Sequence, residues 1–382
     1  MSFVESFNAG KQLHQNPPMT VQQNYVADNN GAPFPFTIKD GIPLPVTPNL
    51  DVPALLDNNL TTFDMQMKLA KSFQWSFGIQ REFMSNLMLD VSYVGTRTLD
   101  LINSVNANQA VAGPGAFQPR RRLYTINPLL QDVDYRTNWG AAKYHSLQVN
   151  LQKRYAKGLT AQVAYTWSHN LANARGPSTS VRPQNSYCSA CEWGNALEDR
   201  RHMLVINHVY ELPFGAGRSY VNKGFLSQVV GNWNVSGVWT MYSGAWFSPA
   251  QSGNGVSNSN STSAFVTATE RPNRIGDGNL PNDQRTIDRW YDTSAFVVPP
   301  QYTFGNAGTG ILEGPGFFGV DLGIHRNFKI REQTRLAYRW EMFNAFNRAN
   351  FNQPTSTLGS TAGQISSSLP ARVMQMSLKL NF

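Results

Sequence analysis

Cys188 and Cys191 are the residues whose type and spacing most directly suggest chemistry. A CSAC pair has the spacing of a redox or zinc half-site. A four-cysteine zinc site needs a second pair, and the chain holds only 2 Cys. The flanking Asn, Ser, Glu and Trp lie in a segment without strand periodicity. We read the pair as a local disulfide in an exposed loop, ahead of free thiols and of redox or metal chemistry. Closing so short a ring removes little chain entropy, so the bond would stiffen a loop tip rather than hold the fold.

The other chemically capable residues fall into no catalytic pattern. His202 and His208 share a strand face, but six residues of strand separate them by about 20 Å, too far for one metal. With His145, His169 and His325 they read as polar residues facing a lumen. Glu198, Asp199, Asp283, Asp288 and Asp292 include several beside arginine, as in Asp199-Arg200-Arg201, and read as loop-bracing ion pairs. Gly244-Ala-Trp-Phe-Ser248 is not a nucleophile elbow. Gly276-Asp-Gly278 and Gly308-Thr-Gly310 are turn glycines, not a dinucleotide fingerprint. No enzyme activity and no cofactor are expected.

Composition points to strands. The 382 residues include 22 Phe, 14 Tyr, 9 Trp, 30 Gly and 22 Pro, a mixture that suits strands joined by structured turns. Mean hydropathy is -0.37, and no run of about 18 apolar residues could form a spanning helix. A membrane barrel is still allowed, because half of each strand faces polar surroundings. The net charge of +8 is scattered, apart from Arg120-Arg-Arg122. Without a basic helix or a phosphate cradle it reads as solvated charge, so no nucleic-acid partner is expected. The start, Met1-Ser-Phe-Val-Glu-Ser-Phe-Asn8, lacks the basic and apolar regions of a signal peptide. For an exported protein this is a defect: either the chain is cytosolic or its true N-terminus is missing.

Residues 1–62 are rich in Pro, Asn and Gln and read as irregular and loop-rich, with room for one strand. From 63 to 382 alternating segments follow at 64–80, 86–96, 144–154, 159–168, 202–212, 230–242, 317–328, 333–346 and 373–382. The connections alternate between short or moderate ones and long ones, the latter near 97–143, 169–201, 243–316 and 347–369. Outer-membrane barrels sort their loops in this way, with short periplasmic turns and long extracellular loops. In the terminal run, Met374, Met376, Leu378, Leu380 and Phe382 oppose Gln375, Ser377, Lys379 and Asn381. Phe382 is the aromatic end of a last barrel strand. Counting back from it puts every short turn in the periplasm and the cysteine loop outside, in an oxidising setting.

The fold class is therefore an all-β, antiparallel transmembrane β-barrel segment of about 9–10 strands in the cell outer membrane. Nine is odd, and barrels of this kind have even counts. Tyr165, Trp167, Trp239, Tyr242, Trp340 and Phe346 are candidates for an aromatic girdle toward the outer strand ends, with sugar stacking as the alternative.

An ordered series of short segments carries a family resemblance. It comprises Trp75-Ser-Phe-Gly-Ile-Gln-Arg81, Leu89-Asp-Val-Ser-Tyr-Val-Gly-Thr96, Asn138-Trp-Gly-Ala-Ala-Lys-Tyr-His-Ser-Leu-Gln148 and Tyr165-Thr-Trp-Ser-His169. Tyr210-Glu-Leu-Pro-Phe-Gly215, Gly231-Asn-Trp-Asn-Val-Ser-Gly237, Phe304-Gly-Asn-Ala-Gly308, Gly314-Pro-Gly316, Glu341-Met-Phe-Asn-Ala-Phe-Asn347 and Leu378-Lys-Leu-Asn-Phe382 complete it. The series resembles the C-terminal barrel half of Oar-like TonB-dependent outer-membrane transporters. The resemblance implies a barrel of about 22 strands, a signal peptide, a carboxypeptidase-regulatory-like domain and a plug that contacts TonB. No counterpart of those N-terminal parts, or of roughly the first twelve strands of such a barrel, is visible. The partners so implied are outer-membrane lipid, the barrel assembly machinery, the missing barrel and plug portion, TonB through that plug, and an unknown ligand. The implied function is ligand uptake by the intact protein. The alternative is a structural or adhesive surface barrel.

Overall fold

The computed structural model describes residues 39, 59–174, 182–251, 255–261, 268–331 and 333–382. The reading of 1–62 therefore lies mostly outside the described residues. Nine long strands dominate. They are β1 (Lys71–Met84), β2 (Leu87–Asn106), β3 (Val133–Ala156), β4 (Leu159–Ala172), β5 (His202–Glu211), β6 (Trp233–Tyr242), β7 (Phe317–Lys329), β8 (Arg335–Phe343) and β9 (Val373–Asn381).

Each strand pairs antiparallel with its sequence neighbours, so spatial order equals chain order from β1 to β9. Among the described strands β1 and β9 form the two edges and do not pair with each other. Every residue of both is exposed. Short connections at 85–86, 157–158 and 330–334 and a moderate one at 212–232 lie at one end, and longer ones at 107–132, 173–201, 243–316 and 344–372 at the other.

The register carries the alternation across the whole sheet. Ile79, Val91, Val149, Tyr165, Leu204, Met241 and Phe318 form one continuous row. Val235, Ile324, Trp340 and Met376 continue the same face in another. The next row by parity, Gln152, Gln162, Asn207, Val238 and Asp321, belongs to the opposite face. Strand side chains alternate with period two, so this pairing yields one apolar and one largely polar face.

Local chemistry sets the turns. Lys157 and Gly158 have φ of 53° and 81° between the paired residues Ala156 and Leu159. Two successive left-handed residues are what a two-residue type I′ hairpin requires. Gly95 faces Trp75 across the β1–β2 ladder, and a β-carbon there would strike the indole.

The strands at this end of the chain differ from the sequence expectation. β2 runs on to Asn106 and β3 begins at Val133, so the connection between them is shorter than 97–143. About 9–11 tilted residues cross a bilayer, and these strands of 20 and 24 residues extend well past it. Polar residues such as Thr96, Thr98, Asn103 and Asn138 hide the continuation from a hydrophobicity-based reading. The short strand Leu60–Phe63 pairs parallel with Val133–Arg136. It braces this extension and does not pair with β1.

The described apolar core is not in the sheet. Phe247, Tyr291, Ala295, Phe296, Ala307 and Leu312 cluster within the 243–316 connection. A sheet one layer thick, with one face toward lipid, has no second layer to bury against.

The two faces predict different tolerances. Ile206→Arg, on the apolar face, is expected to cost about 2–4 kcal/mol in denaturant unfolding from lipid vesicles. Asn207→Arg, one residue on, should change stability little. Equal losses would refute the assignment of faces.

Candidate functional site

Two surfaces are built well enough to act: the polar wall of the sheet and the assembly of long connections above it. On the wall, an open cleft of about 430 Å³ is lined by Gln152, Gln162, Asn207, Ser236, Asp321 and Glu341, among others. Gln162 donates to Asn150 at 3.0 Å, and Gln375 donates to Glu341 at 2.5 Å. Amides, a hydroxyl and carboxylates on a rigid ladder suit hydrogen bonding to a hydrated surface or solute.

The long connections are tied to one another. Gln109 reaches the carbonyl of Gln184 at 2.8 Å, and Gln184 reaches that of Gly305 at 3.0 Å. The Gly113 N–H donates to the carbonyl of Ser257 at 3.2 Å, and the Trp290 N–H to that of Gly363 at 2.9 Å. All four connections thus join one assembly.

Buried charge locks its joints. Arg271 forks onto Glu192 at 2.8 and 2.9 Å, with both side chains almost fully buried. Arg121 meets Asp132 at 2.7 Å, also buried, and Arg182 meets Asp134 at 2.9 Å. Glu270 is buried and accepts hydrogen bonds from the Ser257 and Ser261 hydroxyls and from the N–H groups of Val256 and Ser257. Such pairs leave little room for chemistry. They fix geometry, because parting one leaves a charge uncompensated.

The basic run Arg120–Arg122 is used here too. Arg120 donates to the Asn258 carbonyl at 2.6 Å, Arg121 holds Asp132, and Arg122 lies over the Tyr187 ring at 5.0 Å. Cys188 and Cys191 are joined by a disulfide. The bonded turn leads directly into Glu192, and Arg271 also donates to the Cys191 carbonyl at 3.2 Å. The ring therefore sits at an anchoring point as well as a loop tip.

The six girdle candidates separate. Tyr165, Trp167, Trp239 and Trp340 occupy the apolar face by register. Tyr242 lies on the other face, because three residues separate it from Trp239 and an odd step reverses the side. There it stacks on Phe317 at 4.8 Å and receives the Arg200 guanidinium at 5.5 Å. Phe346 lies beyond β8 and packs on Trp239 at 5.8 Å. Phe382 follows the end of β9 and is 95% exposed.

The expectation of lumen-facing histidines is also corrected. By register His145, His169, His202 and His208 share the apolar face, and only His325 belongs to the polar one. Tyr93 and His145 lie 2.6 Å apart, and Tyr165 and His202 2.9 Å, each pair stacked. The even offsets from Leu147 to His145 and from Leu204 to His202 were available in the sequence. Among the described residues no group of three or more His, Cys, Asp or Glu is placed to hold a metal.

A single-layer antiparallel meander, apolar on one face and polar on the other with loops sorted by length, defines the wall of a transmembrane β-barrel. Residues 1–375 match the family described as outer membrane beta barrel domain, and the chain belongs to that family. It is a protein of the outer membrane.

Among solved structures the chain is similar to the outer membrane transporter YddB from Escherichia coli. The identity is 10% over 85% of this chain and 34% of that one, with a TM-score of 0.45. BauA, the ferric preacinetobactin receptor from Acinetobacter baumannii, aligns at 9% identity over 81% of this chain and 29% of its own, TM-score 0.41. The FrpB iron transporter from Neisseria meningitidis aligns at 11% over 84% and 32%, TM-score 0.40. The chain spans about a third of the length of these structures. No curated protein matches it.

Two measurements test the loop assembly. Arg271→Met strands the buried Glu192 carboxylate and is expected to cost about 3–5 kcal/mol, read as faster hydrogen exchange at 184–199 and 305–310. The Arg271→Met/Glu192→Met double variant should recover much of it.

Alkaline pH supplies the second. Burial pushes the Tyr291 phenol from 10.0 up to about 12, and burial raises Tyr187 to about 12 against the opposing pull of Arg122 and Arg121. Below the unfolded pKa both states keep the proton and stability is intact. Above it the unfolded chain ionises first, so stability falls as pH rises toward 12. Tyr187→Phe/Tyr291→Phe should flatten that loss in a pH series of loop hydrogen exchange.

Proposed function

We propose that this chain forms the C-terminal wall of an Oar-like TonB-dependent transporter, which in its intact form takes up a ligand across the outer membrane. One observation carries the reading: nine amphipathic strands in unbroken meander end at two edges unpaired among the described strands. Both edge strands run toward the short-turn end. Joining them directly would make a parallel pair, so antiparallel closure needs an odd number of further strands. About thirteen would complete a barrel of about 22.

In that barrel the long connections face outward and meet the ligand. The polar wall around Gln152, Gln162, Asp321 and Glu341 lines the lumen and borders a plug. The plug, supplied by other parts of the intact protein, contacts TonB. The barrel assembly machinery inserts the strands, and Tyr165, Trp167, Trp239, Trp340 and the tyrosine–histidine pairs lie toward lipid. The alternative, a structural or adhesive surface barrel, draws support from the cored and ion-paired loop assembly, which presents a firm surface.

The test is uptake in cells producing the intact protein. A panel of metal chelates, oligosaccharides and peptides is offered with and without the gene, and with TonB intact or deleted. Accumulation of one compound should require both. Unchanged accumulation of the whole panel, with reduced surface adhesion on gene deletion, would establish the alternative instead.

A further inference from the structure

The connection 212–232 departs from the other short turns. It carries the only α-helix among the described residues, α1 (Gly224–Val230). The helix lies at the short-turn end, where a plain hairpin would need few residues. Ser227 is its one buried residue. Phe225 and Leu226 are 79% and 63% exposed, and Val229 and Val230 are exposed as well. At about 100° per residue these four side chains fall within an arc of about 140°, directed away from Ser227. Tyr220 and Val221, just before the helix, add to the exposed apolar surface.

The other end of the helix is fixed to the apolar face of the sheet. Arg326 donates to the carbonyls of Gln228 and Val229, and the Trp233 indole donates to Val229 at 3.2 Å. Arg326 is paired in register with Trp233 and Tyr338 and packs over Trp233 at 5.6 Å and Phe328 at 4.2 Å. Trp233 in turn meets Tyr338 edge-on at 5.8 Å. A guanidinium on a lipid-facing row is costly unless it is partnered. The last carbonyls of a helix are equally costly away from water. The two Nη groups of Arg326 satisfy the Val229 and Gln228 carbonyls, although its buried Nε has no hydrogen-bond partner among the described residues, and this contact holds α1 against the lipid side of the wall.

We propose that α1 is an interfacial anchor that lays Phe225, Leu226, Val229 and Val230 into the phospholipid leaflet at the short-turn end of the barrel. The occupant is lipid because the exposed arc continues the apolar face through Trp233, Phe328 and Tyr338. Lys223, exposed at the helix start, stands where a cation meets phosphate headgroups. An amphipathic helix of this kind seats its apolar side about 5–10 Å into the headgroup and acyl boundary. The anchor would set the depth of the barrel and give this edge of the wall a fixed height in the membrane.

The proposal rests on the membrane reading of the apolar face, and one experiment separates the two. Single cysteines at positions 225, 226, 283 and 376 are labelled with an environment-sensitive fluorophore. Cys188 and Cys191 are bonded and do not react. The intact protein that contains this chain, with any cysteine outside it changed to serine, is inserted in phosphatidylethanolamine–phosphatidylglycerol vesicles and then exposed to spin-labelled lipid. Met376 on β9 reports the apolar face and Asp283 the long connections. Quenching at 225 and 226 should come within about twofold of that at 376 and exceed that at 283 by about fivefold. Strong quenching at 376 with none at 225 and 226 overturns the anchor alone and points to a water-facing or protein-facing helix. Absence of quenching at all four sites overturns both readings. Arg326→Met should lower quenching at 226 and leave 376 unchanged, whereas equal quenching at 226 would refute the role of the arginine.

Discussion

Backbone hydrogen bonding in lipid is the constraint on which the rest of this structure depends. A peptide group in the bilayer core has no water to turn to, and each unsatisfied one costs several kcal/mol. The β1–β9 meander answers this along eight interstrand ladders. Neighbours in sequence pair in space, so no ladder waits on a distant strand. The same constraint makes the two edges the functional signature of the chain. In the proposed barrel the outer edges of β1 and β9 pair with further strands, odd in number because the two edge strands run in the same direction.

Because the sheet is one layer thick, packing had to go elsewhere. The wall keeps its apolar side for lipid and its polar side for the lumen, and neither forms an interior. The hydrophobic cluster around Tyr291 and Leu312 and the buried Arg121–Asp132 and Arg271–Glu192 pairs all lie among the long connections. Buried ion pairs contribute little net stability but penalise any arrangement that parts them. In loops that would otherwise have many conformations, that penalty selects one. The disulfide Cys188–Cys191 acts at the same joint, since its turn delivers Glu192 to Arg271.

The strand pattern was legible because a half-buried strand writes its two environments into alternate residues. The hairpin around Lys157-Gly158 and the terminal run to Phe382 needed only local rules. The outer reaches of β2 and β3 were not legible. There the strands leave the membrane, both faces become polar, and Asn103 to Asn106 look like loop although they are ladder. Tyr242 and the four histidines were misplaced for a different reason. Their residue types suggest one face, but the face is set by register alone.

The loops' interior was invisible for a physical reason. Glu192 and Arg271 are 79 residues apart, as Gln109 and Gln184 are 75, and no periodicity links such positions. By itself the sequence determined which residues form the amphipathic parts of the strands, which of their faces is apolar, and where the tight hairpins turn, since these depend on neighbours one to four residues away. Only the tertiary structure decided which charges are buried together, where the core lies, and that α1 is held against the lipid face by Arg326. Those outcomes depend on chain segments meeting across loops, and burial acts on such meetings only once the sheet has brought them together.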